Sequence, residues 1–323
     1  MRELILKFAD IINRNERFLI ISHNKPDGDT LGSNLALRKA LLRKGKHVVS
    51  ACYDLLPDYG RFLPGSESIV QDFILEDFDV VIVVDTATKK LVSFFNKFPE
   101  LNRTRKPIIC IDHHASGDPF GTLNLIDTNA TSTTSLLIDV FQELSWPIDS
   151  DMATCLLNGI YTDTGSFMHS NTTKKVLQQS AILSKIGADY KLIQKNNFQK
   201  TNLRKLKLMG EILSNIEVDE HGVVQSGVKK LTLDKYKATS DDLTGVADMI
   251  CSIPNTEYSI LFTETDEGLV KASLRTRRDD VNVAKVAENY GGGGHTKAAG
   301  FRVQGSLNKK TIWGFDQLPK NKD

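Results

Sequence analysis

The chain of 323 residues has four cysteines, Cys52, Cys110, Cys155 and Cys251, and no two of them form a C-x-x-C pair. That scatter excludes a disulfide scaffold and a cysteine-built zinc cluster, and it reads as reduced, buried thiols in a cytoplasmic protein. No apolar run approaches the roughly 18 residues needed to span a bilayer, so no membrane partner is expected. The first ten residues interrupt their apolar positions with charges at helical spacing and lack a signal-peptide core. Charge of one sign is also missing. A formal net charge of +1 gives no whole-protein attraction to polyanions, so any such binding must come from local patches. Internal repeats and low-complexity segments are absent. With 40% hydrophobic and 25% charged residues the chain is an ordinary globular one, and its length suits about two domains.

Against this plain background the segment Lys106-Pro107-Ile108-Ile109-Cys110-Ile111-Asp112-His113-His114 stands out. A short apolar run ending in Asp-His-His places three metal-competent side chains at the carboxyl end of a strand, where open α/β sheets bind ligands. Phe18 to Ile21 is a second strand, followed by a loop holding His23, Asp27 and Asp29 and then a helical pattern. Asp79 to Val84 is a third, ending in Asp85. Asn158 to Thr162 leads into Asp163. Asp85 and Asp163 are therefore both read as strand-end aspartates, and Gly28 as the point where the backbone turns sharply between Asp27 and Asp29. The competing use of the loop is that Asp29 or Thr30 caps the following helix.

Imidazoles mixed with carboxylates suit Mn²⁺, Fe²⁺, Co²⁺ or Zn²⁺ better than Mg²⁺. Six candidate ligands, His23, Asp27, Asp29, Asp85, His113 and Asp163, exceed what one tetrahedral zinc with an open position takes, and they fit two ions sharing a bridging carboxylate. Asp85, ending the most apolar strand, is the natural bridge. Two such ions imply hydrolysis of a phosphate ester. One of the adjacent histidines is then free to bind phosphate or protonate the leaving oxygen.

The expected architecture is α/β. From Phe18 to about Ile186, strands alternate with helices at Thr30–Lys44, Thr133–Leu144, Met152–Tyr161 and Thr173–Ile186, which implies a mainly parallel sheet with helices on both faces. Residues 1–188 form this domain. Residues 189–215 form a helical linker bearing Lys191, Lys195, Lys200, Arg204, Lys205 and Lys207, read as a solvated face rather than a nucleic-acid contact. Residues 216–323 form a smaller α/β domain, with turns at His221-Gly222 and Asp266-Glu267-Gly268 and helices near Leu243–Cys251 and Val281–Asn289. There, Gly291-Gly292-Gly293-Gly294-His295 follows Ser273-Leu274-Arg275-Thr276-Arg277-Arg278. Glycine amides can approach an anion closely, and an arginine with a histidine completes a phosphate clamp. A flexible turn is the plainer use of the glycines. Of the other histidines, His47 is read at a helix end, His221 in a turn, and His169 near Asp163. Phe167 is read as core rather than as a base-stacking ring.

Four segments, His23 to Asp29, Val84-Asp85-Thr86, Asp112-His113-His114 and Tyr161 to Gly165, together resemble the motifs of the DHH phosphoesterase family. Ser273, Arg275 and Gly291 to His295 resemble its associated DHHA1 domain. The likeness runs from Phe18 to about Val303, and the residues from Lys310 onward lack the helical finish usual in that domain. The compact two-domain layout is similar to the family's oligoribonuclease (nanoRNase) and 3′-phosphoadenosine-5′-phosphate (pAp) phosphatase branch. That resemblance implies one Mn²⁺ on His23, Asp27 and Asp85 and another on Asp29, Asp85, His113 and Asp163. It implies that Asp112 orients ligands and that His114 contacts the scissile phosphate. It also implies that Ser273, Arg275, Gly292, Gly293, Gly294 and His295 hold the substrate's terminal phosphate or nucleotide. The expected partners are short RNA oligonucleotides and pAp, with a homodimer left open. The alternatives are a cyclic or linear dinucleotide phosphodiesterase (pApA or pGpG), an inorganic pyrophosphatase, and a nucleotide-binding module without turnover.

Overall fold

A computed structural model describes residues 1–115, 117–198, 203–243, 245–265 and 268–309. Trp313 to Asp323, expected to be polar and frayed, Lys200 of the linker, and Asp266-Glu267 of the second turn lie outside the described residues. The chain divides into two compact units, Met1–Lys200 and Thr201–Asp323.

The first unit opens with α1 (Arg2–Arg14), then β1 (Arg17–Ser22), α2 (Gly28–Arg43), β2 (His47–Ala51), β3 (Val80–Val84) and the short α3 (Phe94–Lys97). Next come β4 (Ile108–Asp112), β5 (Leu123–Ile126), α4 (Thr133–Glu143), α5 (Ser150–Asp163), α6 (Lys174–Ile186) and α7 (Tyr190–Phe198). The five strands are all parallel, in the order β2-β1-β3-β4-β5. Their near-continuous apolar runs follow from burial on both faces: every residue of β3 and β4 is buried. Alternate residues divide between two cores. Phe18, Ile20, Val80, Ile82 and Ile109 pack with the long helices, whereas Leu19, Ile21, Val81, Val83 and Cys110 meet Leu75, Phe78, Phe94 and Phe95. The second face is thus closed by short helical turns and aromatic rings rather than by long helices.

This strand order reverses beside β1, whose neighbours are β2 on one side and β3 on the other. The carboxyl ends of β1 and β3 are therefore the switch point of the sheet, where open α/β folds leave a crevice. His23 and Asp85 follow those two strands.

The second unit holds α8 (Leu203–Ser214), β6 (Glu217–Val218), β7 (Val224–Val228), α9 (Lys230–Lys235), α10 (Val246–Ile250), β8 (Ser259–Glu264), β9 (Leu269–Arg275), α11 (Val283–Glu288), β10 (Gly293–His295) and β11 (Ala298–Gln304). Its mixed sheet runs β10-β11-β9-β8-β7-β6, with β7 and β8 parallel and the rest antiparallel. The buried-exposed alternation along β8 and β9 is that of a half-covered sheet.

His47 begins β2 instead of ending a helix, because α2 has already stopped at Arg43 and Gly45 turns the chain at φ 78°. All four cysteines are free and buried, and burial pushes the thiols of Cys52 and Cys110 up to about 11 and about 12. They act as small apolar side chains. Among the described residues no helix is long and apolar enough to cross a membrane.

Candidate metal centre

The six predicted ligands come together in the first unit, and three overlapping groups of potential ligand atoms, each within 4.8 Å, emerge there. One is His23, Asp27 and Asp85. Another is Asp85, His113 and His114. The third is Asp29, His113 and Asp163. Asp85 belongs to two of them, as does His113.

Each side chain is held by the local fold. Asp27, not Asp29 or Thr30, caps α2: its Oδ1 accepts from the amides of Asp29 (2.9 Å) and Thr30 (3.0 Å). His23 Nδ1–H donates to the Asn24 carbonyl (2.7 Å), which directs Nε2 toward Asp85 Oδ2 at 3.4 Å. Asp85 leaves β3 with φ at 64°, a left-handed conformation unusual for a residue with a side chain, and is 2% exposed. Two hydroxyls hold its carboxylate: Thr30 Oγ1–H donates to Oδ2 (2.6 Å) and Thr133 Oγ1–H to Oδ1 (2.9 Å).

Asp29 is buried in the first turn of α2 and faces the N-terminus of α4. Its Oδ2 accepts from the Thr133 amide (2.7 Å), and its Oδ1 from the amide (2.9 Å) and hydroxyl (2.6 Å) of Thr134. A helix N-terminus favours negative charge there. Sequence reasoning missed Thr133 and Thr134. The available signal was the hydroxyl-rich run Thr131-Ser132-Thr133-Thr134-Ser135 at the start of a helix.

Asp163 is a correction. It ends helix α5, which the helical pattern at Met152–Tyr161 marks, and not a strand, because Asn158 to Thr162 continue the helix begun at Ser150. Gly159 lets that helix reach the site, since a Cβ there would stand 2.6 Å from Asp29 Oδ1 and 2.5 Å from Thr134 Oγ1. Gly28 serves the same packing. It lies in the first turn of α2 without a positive φ, and a Cβ would meet Thr162 Cγ2 at 2.5 Å. It permits close helix contact rather than a sharp turn.

Asp112 is fully buried, and its Oδ1 accepts from the His113 amide (2.8 Å) and from His114 Nδ1–H (2.7 Å). His114 is 41% exposed on its side chain, and this bond pushes its pKa up to about 9. His113 differs. Burial lowers its pKa, and its Nε2 is buried without a hydrogen-bond partner, 3.4 Å from Asp163 Oδ2 and 3.8 Å from Asp85 Oδ1. Burial, reinforced by the charge of Asp29, pushes Asp85 up to about 8, and the same two causes raise Asp163 well above the carboxylate range. Burial would lower His23, but the bond to Asp85 and its charge, with the Asn24 carbonyl and the charge of Asp27, together outweigh it and lift the ring to about 9. Crowded carboxylates beside an imidazole nitrogen that has no hydrogen-bond partner are the donor chemistry that suits divalent cations. The donor set fits.

The other predicted set lies in the second unit. Strand register places His295 opposite Ala298, and Ala298 opposite Arg275, so the histidine and the arginine share one face of the sheet. Gly293, Gly300 and Ser273 form the adjacent row on that face. The glycine run is not an open loop. The Gly291 and Gly292 amides donate to the carbonyls of Glu288 (3.0 Å) and Ala287 (2.9 Å), closing the end of α11, and Gly293 to His295 form an edge strand. Arg275 Nε–H donates to Asp248 Oδ1 (3.0 Å), which fixes the guanidinium in place. His169 Nδ1 lies 3.3 Å from the Asp163 carbonyl, and the Phe167 ring packs edge-on against Tyr161 at 5.8 Å.

Residues 17–160 match the model of the DHH family N-terminal domain, and residues 223–313 that of the DHHA1 domain. The chain belongs to the DHH/DHHA1 family. It is a DHH-family phosphoesterase with a His/Asp metal cluster. The bifunctional oligoribonuclease and PAP phosphatase NrnA of Bacillus subtilis (strain 168) is 27% identical over 304 residues, covering 90% of this chain and 91% of that protein. Its namesake in Thermus thermophilus is 29% identical over 288 residues, covering 88% and 84%. The crystal structure of an exopolyphosphatase-related protein from Bacteroides fragilis superposes with a TM-score of 0.87 at 25% identity, covering 95% and 93%.

Proposed function

We propose that this DHH protein hydrolyses short oligoribonucleotides to mononucleotides and removes the 3′-phosphate of pAp, using two Mn²⁺ ions. The observation that carries the reading is Asp85, common to a His23-Asp27 group and to a His113-His114 group. A carboxylate shared in this way could serve two ions: His23, Asp27 and Asp85 would hold one, and Asp29, Asp85, His113 and Asp163 the other. Mn²⁺ fits their mixture of imidazole and carboxylate donors.

Divalent cations bound there supply Lewis acidity toward a phosphoryl group and lower the pKa of a coordinated water. The remaining work belongs to the side chains. Asp27 uses Oδ1 to cap α2 and keeps Oδ2 for an ion. Asp112 holds His114 by Nδ1, leaving Nε2 available on a side chain that is part exposed, and the same bond raises the pKa of the ring. A protonated, half-exposed imidazole donates to a phosphate oxygen and delivers a proton to the departing ribose oxygen. In the second unit, Arg275, His295 and Ser273 share a sheet face with Gly293 and Gly300, whose missing side chains leave room for a phosphate or nucleotide. The NrnA relatives, named for oligoribonuclease and PAP phosphatase activities, support this choice of substrate.

The test is a substrate panel with purified protein: pAp, pApA, pGpG, a five-mer RNA, cyclic dinucleotides and pyrophosphate, across Mn²⁺, Mg²⁺ and Co²⁺. Mononucleotide release from RNA and phosphate release from pAp should need the metal and vanish in Asp85→Ala. Turnover of pyrophosphate or cyclic dinucleotides alone would overturn the assignment, and so would tight nucleotide binding without turnover.

A further inference from the structure

Away from the metal centre, α2 lines a second cavity of about 430 Å³ beside Leu35, Arg38, Leu42 and Pro64. That volume lies in the range of roughly 300–1,000 Å³ usual for small-molecule sites. Three cations, Arg38, Lys39 and Arg43, enter it from the one helix, and the acids Glu67 and Asp151 stand at its edge. Their pairing is uneven. Lys39 Nζ–H donates to Asp151 and lies 3.3 Å from Asp149 Oδ2, and Arg43 Nη1–H reaches the same Asp149 oxygen at 3.2 Å. Arg38 has no such partner among the described residues, and its Nε is buried without a hydrogen-bond acceptor.

A buried guanidinium nitrogen lacking an acceptor is costly and marks the place of a missing anion or water. Solvent reaches the rest of this half-buried side chain, and of the groups that could accept from its buried N–H only an anion also pairs the guanidinium charge. A phosphate does both, because its oxygens match the planar fork of arginine. The apolar floor formed by Leu35, Leu42 and Pro64 is suited to a ring or sugar attached to that phosphate. We propose that Arg38 is the anchor of a separate binding site for a phosphate monoester or free phosphate.

The site is distinct from the metal centre. Arg38 follows Asp29 by nine residues of α2, roughly 13–14 Å along the axis. The pairs Lys39–Asp151 and Arg43–Asp149 join this end of α2 to the start of α5, whereas Gly28 meets Thr162 at the other end. The two helices thus run antiparallel, with metal ligands at one end of the pair and Arg38 toward the other. A group bound to Arg38 touches the two elements that carry Asp27, Asp29 and Asp163.

The experiment is calorimetric titration of the full-length protein in chelator with inorganic phosphate and, separately, with AMP. In an Arg275→Met background, which removes the clamp proposed for the second unit, the protein should bind one equivalent. Arg38→Met should weaken that binding by about tenfold or more, as loss of a charge-assisted fork predicts. Arg38→Lys should weaken it less, because charge is kept and the fork is lost. Glu67→Gln should tighten it by removing a nearby negative charge. AMP binding more tightly than phosphate assigns the nucleotide, and equal binding assigns the free ion. Equal phosphate affinity in that background with and without Arg38→Met, both proteins folded, would overturn the site. So would no binding by wild type at millimolar phosphate. Metal-dependent hydrolysis of pAp should persist in Arg38→Met, so failure of this site and failure of the proposed function are read separately.

Discussion

Replacing Thr133 by valine removes one hydroxyl from the centre and little else. The side chain keeps its shape, and the Thr133 amide still donates to Asp29 Oδ2 at 2.7 Å. What disappears is the 2.9 Å bond to Asp85 Oδ1, on a carboxylate that is 2% exposed. A hydrogen bond to a charged group is worth about 1.5–3 kcal/mol, and partners that orient metal ligands typically contribute about 10–100-fold in metal affinity. With Asp85 proposed to serve both ions, the loss should fall on both. Mn²⁺ titration followed by electron paramagnetic resonance should show both apparent affinities weakened, each by about tenfold or more. His23→Ala should chiefly weaken one. Thr133→Ser should restore both. A Thr133→Val protein that binds both ions as tightly as wild type, or that loses only one, would refute the bridging role of Asp85.

Other outcomes follow from the same geometry. In chelator, stability should fall as pH rises from about 4 to about 9. Asp85, raised from 3.8 to about 8, holds a proton in the folded state that the unfolded chain releases. His23 and His114, raised to about 9, add stability present below their unfolded value of 6.5 and lost through about 9. His113, lowered by burial, opposes this trend below 6.5, and the lowered carboxylates of Asp79, Asp149 and Glu211 oppose it near pH 4. Thermal unfolding across this range should show the slope, Asp85→Asn should flatten it, and a rising stability would contradict the assignment. Gly159→Ala should destabilise the protein by about 1–3 kcal/mol and weaken Mn²⁺ binding, because its methyl group collides with Asp29 and Thr134. Urea unfolding with and without Mn²⁺ measures both effects. His114→Gln should lower kcat for pAp by about 10²–10⁴ while leaving Mn²⁺ affinity within a few-fold, and a large loss of metal binding would make His114 a ligand instead. Arg275→Met should raise KM for pAp far more than it changes Mn²⁺ binding, which steady-state kinetics beside a metal titration will show.

Local signals revealed much of this molecule. The apolar runs Phe18–Ile21, Val80–Val84 and Ile108–Ile111 announced strands buried on both faces, and polar residues after them gather in the candidate metal centre. Asp163 was harder to read, since an aspartate ending a buried helix and one ending a buried strand follow equally apolar residues. The glycine run was also ambiguous. Four glycines advertise freedom, yet two of their amides close α11 and the rest join a sheet edge through pairings with distant β11.

Residue types and their order carried the chemistry, because imidazole and carboxylate donors are properties of side chains and remain recognisable wherever the chain goes. The division of labour among them needed the fold. Thr30 and Thr133 reach the same carboxylate from helices about a hundred residues apart in the chain, and Asp29 meets amides at the head of α4. His113 lies buried with an unpaired nitrogen while its neighbour His114 is held toward solvent by Asp112. Burial, crowding and hydrogen-bond partners arise only when distant segments pack, and they separate two adjacent histidines that the sequence presents as equals.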